Sequence, residues 1–78
     1  MKLLWVTPCR PELFPKLMPM LVSAHGMKPK LIRISDKAAA SVGLEFGRSY
    51  SWGTQDWMSV RVERDEDVSD DRMDVILE

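Results

Sequence analysis

The stretch that decides the fold runs from Lys30 to Val62, KLIRISDKAAASVGLEFGRSYSWGTQDWMSVRV. It opens on Leu31-Ile32-Arg33-Ile34, a short run with β-branched residues that reads as a strand. Ser35 or Asp36 follows, and either side chain can accept the orphan amides of a helix beginning there. The spacing predicts a short helix through residues 37–42, closed by Gly43 in the position after the last turn. Gly47 then turns the chain into an alternating strand, Ser49-Tyr50-Ser51-Trp52. Residues Gly53 to Asp56 read as a turn. The final run, Trp57–Glu63, alternates cleanly, with Met58, Val60 and Val62 on one face and Ser59 and Arg61 on the other.

Upstream, Lys2–Val6 is apolar and stopped by Thr7-Pro8, a second short strand. Pro8, Pro11, Pro15 and Pro19 come next, interleaved with Leu13, Leu17, Leu21 and Phe14, Met18, Val22 at i, i+4 spacing. Prolines fit a first helical turn, but Pro15 and Pro19 cannot both occupy one that begins at Glu12. The expectation is an irregular lead-in and a helix from about Lys16 to His25, ended by Gly26. Met27 to Lys30 is a basic loop containing Pro29. Downstream, Arg64–Asp71 is an acidic loop, and Met73–Leu77 is apolar enough for a last strand. The fold class is therefore α+β: one small domain of short antiparallel strands with one or two short helices. Its parts are 1–30, a strand and a Pro-rich helical segment; 31–62, strand, helix and hairpin; and 63–78, acidic loop and last strand.

The chain has 78 residues, 45% of them apolar and 29% charged, the composition of a globular protein. A domain of this length buries only roughly 60–65% of the surface its unfolded chain exposes, so its stability margin is thin. Disulfides cannot widen it, because Cys9 is the single cysteine, and His25 is the single histidine, too little for a zinc site. A lone cysteine and no targeting signal fit a cytoplasmic protein with no membrane span. No cofactor or metal is expected.

Catalysis has little to work with. A nucleophile needs a neighbouring base, and His25 lies near a helix end, where histidine usually caps. Arg10 could lower the pKa of Cys9, although an inert cysteine is the better reading. The acidic run lacks a glycine at the sixth position of a calcium loop and has Ile76 at the twelfth, where glutamate is required. No catalytic residue is assigned and the chain is read as not an enzyme.

Binding has more. Lys28, Lys30, Arg33 and Lys37 concentrate positive charge, which suits DNA or RNA phosphates. Tyr50, Trp52 and Trp57 flank one hairpin, where aromatics can stack on bases or fill a small core. The acids are equally concentrated: residues 63–78 hold eight acids and two bases, residues 1–62 nine bases and four acids. Such asymmetry suggests a charged interaction surface, in which Asp65, Glu66, Asp67, Asp70 and Asp71 would meet a larger basic protein.

The order of strand, helix entering at Ser35, Val42-Gly43-Leu44, Gly47 and two alternating strands resembles the AbrB-type swapped-hairpin family, and within it the SymE-like toxins. The resemblance covers residues 31–62. It implies two chains interlocked in one barrel, DNA or RNA as partner, and phosphate contacts from Lys28, Lys30, Arg33 and Lys37. Ser35 stands where the family carries proline or glycine. The leading expectation is a small nucleic-acid-binding module, regulatory or toxin-like. The alternative is an inhibitor or adaptor, of the kind phages and mobile elements encode, whose carboxylates imitate nucleic acid. A thin core and the resemblance both favour a homodimer.

Overall fold

Why Lys2–Val6 becomes a strand is visible in its neighbours: in the computed structural model, which describes residues 1–51 and 59–78, it forms β1 and pairs antiparallel with the last strand. The order continues with a 3-10 turn at Pro11–Leu13, α1 at Phe14–His25, β2 at Pro29–Ile34, α2 at Asp36–Val42, β3 at Ser49–Tyr50, β4 at Val60–Arg64 and β5 at Met73–Leu77. The strands make one open five-stranded sheet in the order β1-β5-β2-β4-β3. The α+β reading stands.

The sheet is mixed rather than wholly antiparallel. β1, β2 and β3 meet their partners antiparallel across β5 or β4, but β2 and β4 run parallel. A parallel pair needs a crossover of a dozen or more residues, and α2 with β3 supplies it. The hairpin nature of β3 and β4 is kept, and it extends past the two-residue strand: the Gly47 amide donates to the Val62 carbonyl at 2.9 Å and the Val62 amide to Arg48 at 3.1 Å. The turn expected at Gly53–Asp56, with Trp52, Trp57 and Met58 beside it, lies outside the described residues.

Residues opposite one another across a ladder share a face. The register therefore sorts the strands into two faces. Leu4, Val6, Ile32, Ile34, Val60, Val62, Met73, Val75 and Leu77 point to one side. There they meet Phe14 and Met18 of α1 and Ala38, Ala39 and Val42 of α2 in a single core. Ala38 and Ala39 are small but fully used, because they let α2 lie close to the sheet. Leu3, Trp5, Leu31, Arg33, Arg61, Glu63, Asp74 and Ile76 point to the other side, which no described helix covers.

Helix α1 starts two residues earlier than Lys16, at Phe14, with Pro15 in its first turn and Pro19 inside. Pro19 has no amide to give the Pro15 carbonyl, a defect costing about 3 kcal/mol in a helix interior. Phe14 and Met18 are both fully buried, and each contributes about 1.5–3 kcal/mol by leaving water. Packing on the sheet thus outweighs the proline. The helix stops where expected: Gly26 adopts φ 65° and its amide donates to Val22 at 2.8 Å. Helix α2 also follows expectation, capped by Ser35, whose Oγ accepts from the Ala38 amide at 3.2 Å, and closed by Gly43 at φ 74°.

Candidate functional site

The segment 65–71 is an ordered loop built from its own polar groups. The Asp65 amide donates to the Ile34 carbonyl at 3.1 Å, fixing the loop to the end of β2. Asp65 Oδ1 accepts from the Asp67 amide at 3.0 Å, and the Asp65 carbonyl accepts from Val68 at 3.2 Å. Val68 is buried and anchors the loop's middle. Ser69 Oγ donates to Asp71, and the Arg72 amide closes the loop on the Ser69 carbonyl at 3.2 Å. Ser35 then does double duty: besides capping α2, it donates to Asp70 Oδ1 at 2.6 Å. Loop and helix start are one unit.

This arrangement gathers the acids. Glu66, Asp67, Asp70 and Asp71 are exposed and Asp65 is half-buried. Asp36, absent from the sequence-based set, joins them through the shared Ser35 junction. The local bases are engaged: Arg64 pairs with Asp36 at 2.7 Å and also lies 4.9 Å from the Phe46 ring centroid. Arg72 pairs with Asp74 at 3.2 Å and lies 4.4 Å from the Trp5 ring centroid. The Arg72–Asp74 contact has ion-pair distance without hydrogen-bond alignment, since neither Nε nor Oδ1 has a hydrogen-bonding partner.

The four bases proposed for phosphates are not brought to one face. Lys30 is the extra residue of a bulge, because Pro29 pairs with Leu77 and Leu31 with Ile76. Arg33 is exposed on the uncovered face, in register with Glu63 on one side and Asp74 on the other, so acids flank it. Lys37 lies in the first turn of α2, next to Asp36 at the acidic end. Lys28 stays with Lys30, its backbone exchanging two hydrogen bonds with Glu78 at 2.9 and 2.8 Å. The expected cluster therefore divides, for a plain reason: a strand extends about 3.3 Å per residue, so Lys30 and Lys37 sit at opposite ends of β2.

A different residue completes the pair that remains. Lys2 is in register with Leu77, which also faces Pro29, so the starts of β1 and β2 lie at the same end of the sheet. His25 is there too, its Nδ1 3.0 Å from Lys2 Nζ. Only the strand order could reveal this, since Lys2 and Lys28 are far apart in sequence. The two ends differ in charge: Lys2, Lys28 and Lys30 with Glu78 at one, six carboxylates with Arg64, Lys37 and Arg72 at the other.

Comparison of the chain with protein-family models, curated proteins and solved structures finds no match. Function has to be argued from the surface alone.

For catalysis the geometry is unfavourable. His25 lies at the start of β1, while Cys9 follows its end, about 13 Å of strand away. A thiol and a base so placed cannot exchange a proton. The suggestion that Arg10 lowers the Cys9 pKa is corrected: burial pushes the thiol above its ordinary value. Among the described residues no group of three or more His, Cys, Asp or Glu could hold a metal ion, and no helix is long and apolar enough to cross a membrane. Tyr50 packs against the core, its hydroxyl accepting from the Glu45 amide at 3.0 Å with Arg48 5.1 Å from its ring centroid. Trp52 and Trp57, its suggested partners in base stacking, lie outside the described residues.

Proposed function

We propose that the chain is a non-catalytic binding module that docks its acidic end on a basic surface of a larger protein, as a small inhibitor or adaptor would. The observation that carries this reading is the junction at Ser35. It holds Asp70 against α2 and so presents Asp65, Glu66, Asp67, Asp70 and Asp71 as a fixed array beside Asp36. An ordered array binds with less entropy loss than a mobile acidic tail, and its charge speeds encounter with a basic partner. Cys9, the one thiol, suits a reducing cytoplasm, where we place this interaction.

A second reading, nucleic-acid binding of the swapped-hairpin kind, is favoured by one observation: Lys2 adds to Lys28 and Lys30 at the opposite end. Lys37 and Arg33 do not extend that patch, which leaves it small for phosphate binding.

One experiment weighs both. The full chain is immobilised and exposed to bacterial lysate, with and without nuclease, beside the variants Asp65→Ser/Glu66→Ser/Asp67→Ser and Lys28→Ser/Lys30→Ser. The expected result is a protein partner retained after nuclease and weakened about tenfold or more by the acidic variant at low salt. Capture unchanged by the acidic variant overturns the proposal. Recovery of nucleic acid that depends on the two lysines would establish the second reading instead.

A further inference from the structure

We infer that β1 is a self-pairing edge, and that two copies of this chain join antiparallel along it, about a two-fold axis at Leu4, into one continuous sheet. β1 is a sheet edge whose far side meets no described strand. Its ladder with β5 runs through five consecutive pairs without a bulge, and it contains no proline. Edge strands of natural proteins are usually kept from pairing by proline, bulges, charge or short length. Here only Lys2 is charged. The opposite edge, β3, has two residues.

The apolar surface is concentrated at the same place. Among the described residues, the exposed large hydrophobics are Met1, Leu3, Trp5, Leu13 and Met20. The first three belong to β1 or adjoin it, with Leu3 50% and Trp5 70% exposed. The other two border an apolar groove of about 330 Å³ between the end of β1 and α1, lined by Val6, Cys9, Leu13, Leu17 and Met20. Leu3 and Trp5 lie on the uncovered face and Leu13 and Met20 on the helix side, so exposed apolar side chains flank the β1 edge on both faces of the sheet.

Two features single out a second copy as the occupant. The first is register. Antiparallel pairing about Leu4 sets Leu4 opposite its own mate, Leu3 opposite Trp5 on the uncovered face, and Lys2 opposite Val6, so no like charges meet. The second is charge. The starts of β1 and β2 carry Lys2, Lys28 and Lys30 against the single acid Glu78, and beyond the end of β1 lies the acidic loop, whose Asp71 lines one groove with Trp5, Thr7 and Arg72. Antiparallel association lays the basic end of each copy beside the acidic end of the other, whereas parallel pairing would set like ends together. The interface is isologous and closes at two copies.

The test is the mass of the full chain in solution, by light scattering across about 5–200 µM, a span that brackets a micromolar dimer. Wild type is expected to have the mass of two chains at the upper end. Leu3→Glu should return it to one chain while the far-UV spectrum, and the urea midpoint at concentrations where wild type is also one chain, stay close to wild type. Trp5→Glu should do the same at a lower urea midpoint, because its carboxylate faces Asp74 and Arg72 loses the ring it lies over. A Leu4→Cys variant in a Cys9→Ser background should form a disulfide-linked dimer on oxidation, since opposed strand residues lie within about 4.5–5.5 Å, inside disulfide reach. Ser49→Cys on the other edge should not. A one-chain mass throughout overturns the inference and leaves the edge to a strand of some other protein. A two-chain mass indifferent to Leu3→Glu and Trp5→Glu, with no link through position 4, overturns it as well.

Discussion

Ser35→Ala removes two bonds made by one hydroxyl. Its Oγ accepts from the Ala38 amide at 3.2 Å and donates to Asp70 Oδ1 at 2.6 Å, and the residue is only 6% exposed. Loss of an N-cap costs about 1 kcal/mol. The bond to a carboxylate would be worth more in a sealed site, but Asp70 is exposed and regains water, so about 1 kcal/mol is reasonable for it. The substitution should therefore cost about 2 kcal/mol, out of a total stability of roughly 4–12 kcal/mol for a chain of this length. For a domain this small that lowers the Tm by about 8–16 °C. Asp70→Ala removes only the second bond and should cost about 1 kcal/mol. The double variant should cost no more than Ser35→Ala alone, because the hydroxyl is Asp70's hydrogen-bonding partner. Thermal and urea unfolding followed by far-UV circular dichroism measures all three. A Ser35→Ala loss under about 0.5 kcal/mol, or strict additivity in the double variant, would refute the junction between loop and helix.

The other outcomes are simpler. Asp74→Ala leaves Arg72 without its carboxylate on the uncovered face. The pair is partly exposed, so the loss should be about 1–3 kcal/mol in urea unfolding, below that of a fully buried pair, and a change under 0.5 would contradict it. Burial raises the Cys9 pKa, so less thiolate is present at pH 8 than in the unfolded chain. Native Cys9 should react with a disulfide reagent more slowly than it does in concentrated urea, and a faster native rate would count against the burial.

Most elements were legible because they carry local signals. β1 and β5 were bounded by their apolar runs, and α2 by Ser35 and Gly43, whose cap bond and left-handed φ do the stopping. What escaped depends on contacts distant in sequence. Sequence alone puts the start of α1 two residues late, because Pro15 and Pro19 cannot share one first turn, while the burial of Phe14 and Met18 against the sheet, which outweighs Pro19 inside the helix, has no local signal. The interior position of β5 has no local signal for a related reason: all five of its residues are buried, Asp74 included, and only a partner such as Arg72 makes that tolerable. The acids stay together in space because they are continuous in one ordered loop. The bases from Lys28 to Lys37 do not, because a continuous run along a strand is spread over its length and alternates between its faces.

The two-ended charge has its origin in strand direction. β1 and β2 are both antiparallel to β5, so they run the same way, and β4 runs with β2. The starts of β1 and β2 therefore share one end of the sheet, and the ends of β1, β2 and β4 share the other. Lys2, Lys28 and Lys30 stand at strand starts, whereas the loop leaving β4 and the helix leaving β2 bring in Asp65–Asp71 and Asp36. With three lysines at the starts of β1 and β2 against Glu78, and the acidic loop and Asp36 at the other end, the molecule has a dipole along the sheet. An edge strand parallel to that dipole can pair with its own copy favourably only when inverted. The same topology that aims the acidic loop outward fixes the direction in which two copies can join.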